Sequence, residues 1–68
     1  MNNHKRSQLM ARRCAACDVL AGNGPFVDGV VPGSAWSVWY EKEYRSMSEA
    51  TKSEIEIRLG ELEKCLSL

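Results

Sequence analysis

Residues 34–68 read SAWSVWYEKEYRSMSEATKSEIEIRLGELEKCLSL, and this stretch decides the fold. It contains no proline and a single glycine, Gly60. Trp36, Tyr40, Tyr44, Met47, Thr51, Ile55, Leu59, Leu62 and Leu66 follow one another at steps of three and four. That period is the signature of one helical stripe. Residues 35–45 also admit a strand reading, because Trp36, Val38, Tyr40 and Tyr44 share parity. A strand pair there would have to turn at Glu41-Lys42, which has no turn chemistry, so helix is the better reading. A break is expected near Ser46, where Ser46-Met47-Ser48-Glu49 has the form of a capping box. Glu54–Arg58, Glu49–Lys52 and Glu61–Lys64 stand at spacings that support a second helix. Gly60 weakens a helix interior by about 1 kcal/mol relative to alanine. A neighbouring element packed closely at that point is the expected reason for it.

Upstream, residues 5–21 hold no glycine or proline. Met10, Cys14, Cys17 and Ala21 recur at four, three and four, and Leu9, Ala16 and Leu20 widen the stripe. This predicts an N-terminal helix packed through that stripe, with Ser7 near its start and residues 1–4 as a frayed tail. Gly22-Asn23-Gly24-Pro25 ends it. Residues 22–34 carry four of the five glycines and both prolines. They read as an ordered loop that sends Phe26, Val30 and Val31 to the core. The alternative is a small hairpin turning at Asp28-Gly29.

The expectation is therefore a single small all-α domain: a short N-terminal helix, a Gly/Pro-rich loop and a long C-terminal helix broken near Ser46. The alternative is an α-β-β-α domain. In that alternative the length and layout resemble small phage head–tail joining proteins, which implies a phage or mobile-element origin. The likeness lies in layout and carries no residue with it.

At 68 residues the chain holds one domain. A core this small supplies about 3–5 kcal/mol and calls for a staple such as a metal or a partner chain. The formal net charge is zero, which argues against a dedicated nucleic-acid-binding domain. The charge is unevenly spread: residues 1–17 carry Lys5, Arg6, Arg12 and Arg13 without an acid, and residues 49–68 carry five glutamates against three basic residues. The two ends are expected to attract each other or separate partners. Three cysteines, with neither a convincing secretory signal nor an apolar run of membrane length, point to a cytoplasmic chain with reduced thiols.

Cys14-x-x-Cys17 is the sharpest local motif. As half of a zinc site it needs two more ligands, and only His4 and Cys65 are available for a Cys₃His set. As a redox motif it lacks the strand that should precede it. As two small apolar side chains on a helix stripe it needs nothing further, and that reading is preferred. No nucleophile, base and orienter stand together in a recognisable pattern, so the chain is not expected to be an enzyme.

Trp36, Trp39, Tyr40 and Tyr44 lie within nine residues, more aromatic surface than one helix of a small core readily buries. Tryptophan and tyrosine anchor protein interfaces. Ile55, Leu59, Leu62 and Leu66 form a seam of less than two heptads, too short for an autonomous coiled coil. Both groups are candidate protein-binding residues. The expected function is binding of another protein, as inhibitor, adaptor or assembly factor, in a homodimer or hetero-complex, without cofactor and away from membrane. A zinc-binding regulatory protein whose basic N-terminus touches nucleic acid is the alternative.

Overall fold

A computed structural model describes residues 3–26 and 35–67. Three helices account for most of them: α1 (Asn3–Ala21), α2 (Ala35–Ser48) and α3 (Lys52–Ser67). The described residues contain no strand, so the fold is all-α. Residues 35–45 are helical, and the α-β-β-α alternative falls away together with the likeness in layout that depended on it. The hairpin centred on Asp28-Gly29 and the core contacts expected of Val30 and Val31 lie outside the described residues. No helix is long and apolar enough to cross a membrane among the described residues.

α1 lies between the other two, which scarcely touch each other. The molecule measures 31 × 27 × 16 Å. Its short dimension is little more than one helix diameter of about 10–12 Å, so α2 and α3 flank α1 instead of stacking over it. The core accordingly splits in two. Leu9 and Ala16 of α1 meet Ile55 and Leu62 of α3. Ala11 and Ala15 of α1 meet Tyr40 of α2. Ala11, Ala15 and Ala16 have no exposed surface, because their short side chains let the helices close on one another. The predicted packing stripe of α1 is thereby corrected. Met10 is 42% exposed and Ala21 is exposed, and Cys14 and Cys17 are only half-buried.

Each helix end has an identifiable cause. α1 begins at Asn3, ahead of the expected start, so His4 belongs to its first turn and Ser7 lies inside it. At its other end Gly22 takes φ +78°, a conformation that glycine adopts without a Cβ penalty. Gly22 N–H then donates to Val19 O at 3.1 Å and Asn23 N–H to Asp18 O at 2.8 Å. This pair of reversed bonds is the Schellman motif.

The break after α2 lies at residues 49–51, later than Ser46. The functioning capping box is Thr51-Lys52-Ser53-Glu54. Glu54 N–H donates to Thr51 Oγ1 at 3.2 Å, and Thr51 N–H donates to Glu54 Oε1 at 3.2 Å. Ser48 instead turns its hydroxyl back onto Arg45 O at 2.9 Å. The later break keeps Met47 in α2, where it packs against the Leu9–Ile55 cluster. It also reassigns Glu54, which caps α3 while its expected partner Arg58 reaches Glu43.

Thr51→Ala should therefore lower stability by about 1 kcal/mol. Ser46→Ala should stay within about 0.5 kcal/mol, as for an ordinary surface site; urea unfolding of the two variants measures both. Gly60 is a second correction. A Cβ built there meets nothing within 4 Å, so close packing is not the reason for the glycine. Gly60→Ala should raise stability by about 0.5–1 kcal/mol, read as a higher urea midpoint at unchanged slope.

Candidate functional site

α2 carries most of the chemistry, because its inner face sets the aromatic Tyr40 one turn before the acidic Glu43, both buried. Tyr40 is fully buried between Ala11 and Ala15. Its hydroxyl donates to Asp18 Oδ2 and accepts from Phe26 N–H at 3.0 Å. Burial first, and then the hydrogen bond to Asp18, push the Tyr40 phenol far above its usual range. The Phe26 ring lies 4.9 Å from that of Tyr40, and Phe26 holds φ 63°. A left-handed bulky residue costs about 1–2 kcal/mol, offset here by its backbone bond and ring contact to Tyr40.

One turn on, Glu43 is 5% exposed. Arg12 Nε of α1 donates to its Oε1 at 3.1 Å. Arg58 of α3 donates from Nε to Oε2 at 2.8 Å and from Nη2 to Oε1 at 3.2 Å. Burial alone would raise the carboxyl's pKa. The hydrogen bonds and charges of Arg58 and Arg12 outweigh it and hold the group below the usual carboxylate range. The same bond raises the pKa of the Arg58 guanidinium. This triad joins all three helices.

The candidate binding residues separate into two sets. Tyr40, Ile55 and Leu62 are buried in the core. Trp36, Trp39, Tyr44, Leu59 and Leu66 remain half-exposed. Tyr44 donates its hydroxyl to Asn23 O at 2.8 Å and so ties α2 to the loop after α1. Trp36 and Trp39 line a groove of about 270 Å³ with His4, Ser7 and Gln8 of α1. Lys42 Nζ lies 5.2 Å from the Trp39 ring centre, within cation–π range. A second groove, about 290 Å³, lies between Arg6, Met10 and Arg13 of α1 and Glu63, Leu66 and Ser67 of α3. Arg13 and Glu63 pair across it at 3.4 Å, both half-exposed, which realises the expected attraction between the two ends. Such an exposed pair contributes less than about 1 kcal/mol.

The Cys₃His set is not assembled. His4 faces Gln8 at 3.0 Å, and Cys65 is exposed on α3. No group of three or more His, Cys, Asp or Glu side chains suited to a metal exists among the described residues. The residues that sequence reading passed over are Asp18 and Glu43. Glu43 had a signal: it stands three residues after Tyr40 and four before Met47, on the packed face.

Glu43→Gln removes the negative charge from between two guanidinium groups. It should cost about 2–4 kcal/mol, because one partner of a buried ion pair is lost while the arginines regain some water. The sign with pH follows from the lowered pKa. The contribution of Glu43 is complete above its unfolded value near 4.5 and is lost as pH falls through the lower folded value. Wild type should therefore lose stability on acidification below about pH 4.5, and the variant should lose less over the same range. Thermal melts between neutral and acid pH check both. Comparison with protein families, with curated proteins and with solved structures finds no match.

Proposed function

We propose that the chain is a small non-enzymatic protein that works by binding another protein, as inhibitor, adaptor or assembly factor. The observation that carries this reading is the groove of Trp36 and Trp39 against His4, Ser7 and Gln8. The helices are already joined through Tyr40 and Glu43, yet both indoles keep exposed surface beside a concave floor. Tryptophan held rigidly at the rim of a pocket is the commonest anchor of a protein interface. The rings are presented by a helix that the triad anchors beside them, so little ordering cost attends docking.

The basic first half of α1 shapes the choice of partner. Lys5 and Arg6 are exposed within a turn of the groove and favour an acidic rim on the protein that docks. Leu59 and Leu66 offer a smaller apolar patch at the other flank, which suits a second contact or a second copy of the chain.

The test is affinity capture from the native host, repeated with Ser7→Arg. Ser7 is exposed and lines the groove, so the arginine fills the space without removing core packing. The variant should melt within about 0.5 kcal/mol of wild type. It should bind the captured partner more weakly by about 30-fold or more, the loss that marks an interface anchor. Unchanged affinity would place the partner elsewhere.

A further inference from the structure

We propose that Asn23 is a self-modifying site: the backbone nitrogen of Gly24 displaces the Asn23 side-chain amide, and the Tyr44 hydroxyl assists by stabilising the nitrogen anion that attacks. The inference stands apart from the tryptophan groove and from any protein partner. It starts from the dipeptide Asn23-Gly24, just past the end of α1. The side-chain carbonyl carbon of an asparagine can close a five-membered ring with the nitrogen of the next residue. Glycine in that next position has no Cβ to obstruct the closure.

The structure leaves both reacting groups available. Asn23 and Gly24 are exposed. A Cβ built on Gly24 would meet nothing within 4 Å, so the approach is open. Among the described residues neither the Asn23 side-chain amide nor Gly24 N–H has a hydrogen-bond partner. The backbone around them is held. Gly22 is fixed at φ +78°, and Asn23 N–H donates to Asp18 O at 2.8 Å. Asn23 O belongs to the peptide bond that joins Asn23 to Gly24, and it accepts from the Tyr44 hydroxyl at 2.8 Å.

That last bond bears on the chemistry. Hydroxide removes the proton of Gly24 N–H, and the negative charge spreads from the nitrogen to Asn23 O. A donor already aimed at an oxygen that gains charge stabilises the charged form. Asp18 and Tyr40, the other ionisable groups packed at this end of α1, have their side chains bonded to each other. The nitrogen anion forms a bond to Asn23 Cγ, and the Cγ–Nδ2 bond breaks. The departing nitrogen takes a proton from water and leaves as ammonia, which regenerates hydroxide. Water then opens the cyclic imide at either carbonyl, giving aspartate or isoaspartate without any electron transfer. Aspartate places a negative charge at the negative end of α1. Isoaspartate routes the chain through the former side chain and inserts a methylene between the bond to Asp18 O and the bond to Tyr44. The cap of α1 and the tie to α2 then no longer share one rigid residue.

The experiment incubates the full chain in buffer at neutral and mildly alkaline pH. Peptide mapping by mass spectrometry and labelling with an isoaspartate-specific methyltransferase follow the products, and circular dichroism checks the fold. Wild type should accumulate isoaspartate at residue 23, faster at the higher pH, while Asn3, which precedes His4, stays intact. Gly24→Ala puts its Cβ into open space and should slow conversion about 5-fold, the worth of glycine's backbone freedom. Tyr44→Phe keeps the ring that stacks on Tyr40 and should also slow it about 5-fold, the worth of one net hydrogen bond. In concentrated guanidinium the hydroxyl no longer faces Asn23, so Tyr44→Phe and wild type should convert at one rate while Gly24→Ala stays slower. An intact Asn23 in the folded wild type, over a period in which the unfolded chain converts, overturns the proposal. So does a folded Tyr44→Phe that converts as fast as wild type, or one whose slowing persists in guanidinium. If Tyr44→Phe loses helicity, Gly24→Ala carries the test, and conversion as fast as wild type there overturns the proposal.

Discussion

The fold depends on one carboxylate. Glu43 is the point at which all three helices are joined, since Arg12 comes from α1 and Arg58 from α3. α2 and α3 otherwise make few contacts with each other. Apolar packing ties α2 to the α1–α3 pair mainly through Met47, which leaves their mutual angle loosely set. A bidentate guanidinium bond has a fixed plane and length, so Arg58 removes much of that freedom. A buried ion pair is weak evidence for net stability, because desolvation offsets most of the attraction. Here its geometry orients helices that have little else to orient them.

Tyr40 does the corresponding work within the α1–α2 pair. Its hydroxyl satisfies Asp18, which would otherwise be a buried carboxylate in an apolar face, and it fixes the backbone of Phe26. Removing an interior partner of this kind costs more than the bond contributes, because the remaining group keeps its desolvation penalty. Tyr40 and Glu43 are three residues apart and face the same way, so a single helix face governs both the core and its polar bracing. The tryptophans sit at the outer edge of that face, where bracing gives way to free surface.

Much of the helical layout was legible in the sequence. The Gly22–Pro25 stop, the helix over residues 35–45 and the Ile55–Leu62 seam follow from periodicity and turn chemistry. The rotation of α1 did not follow, and the reason is physical. Its alanines carry almost no periodic signal, whereas Met10, Cys14 and Cys17 look like a core stripe. Close approach favours the alanines, while Met10 is exposed and the two cysteines stay half-buried at the edge. The capping box was ambiguous because Ser46–Glu49 and Thr51–Glu54 both fit the pattern. Only the packing of Met47 decides between them. Glu43 was hidden by its type, since a glutamate on a packed face is ordinarily solvated until an arginine from another element meets it. The same difficulty covers the candidate site: periodicity put Trp36, Trp39 and Tyr40 together, but only packing separates the buried ring from the two at the rim.

The central place of α1 has a consequence for biosynthesis. α1 is synthesised before the two helices that cover it, so both of its packing faces start bare. Its α3 partner follows some forty residues later, a delay of several seconds at about 5–20 residues per second. During that interval the nascent chain presents Leu9, Ala16 and the alanine face without cover. The α2 and α3 segments must then close on the two sides of a helix already made, and the partly covered α1 is the form that a holdase chaperone would meet.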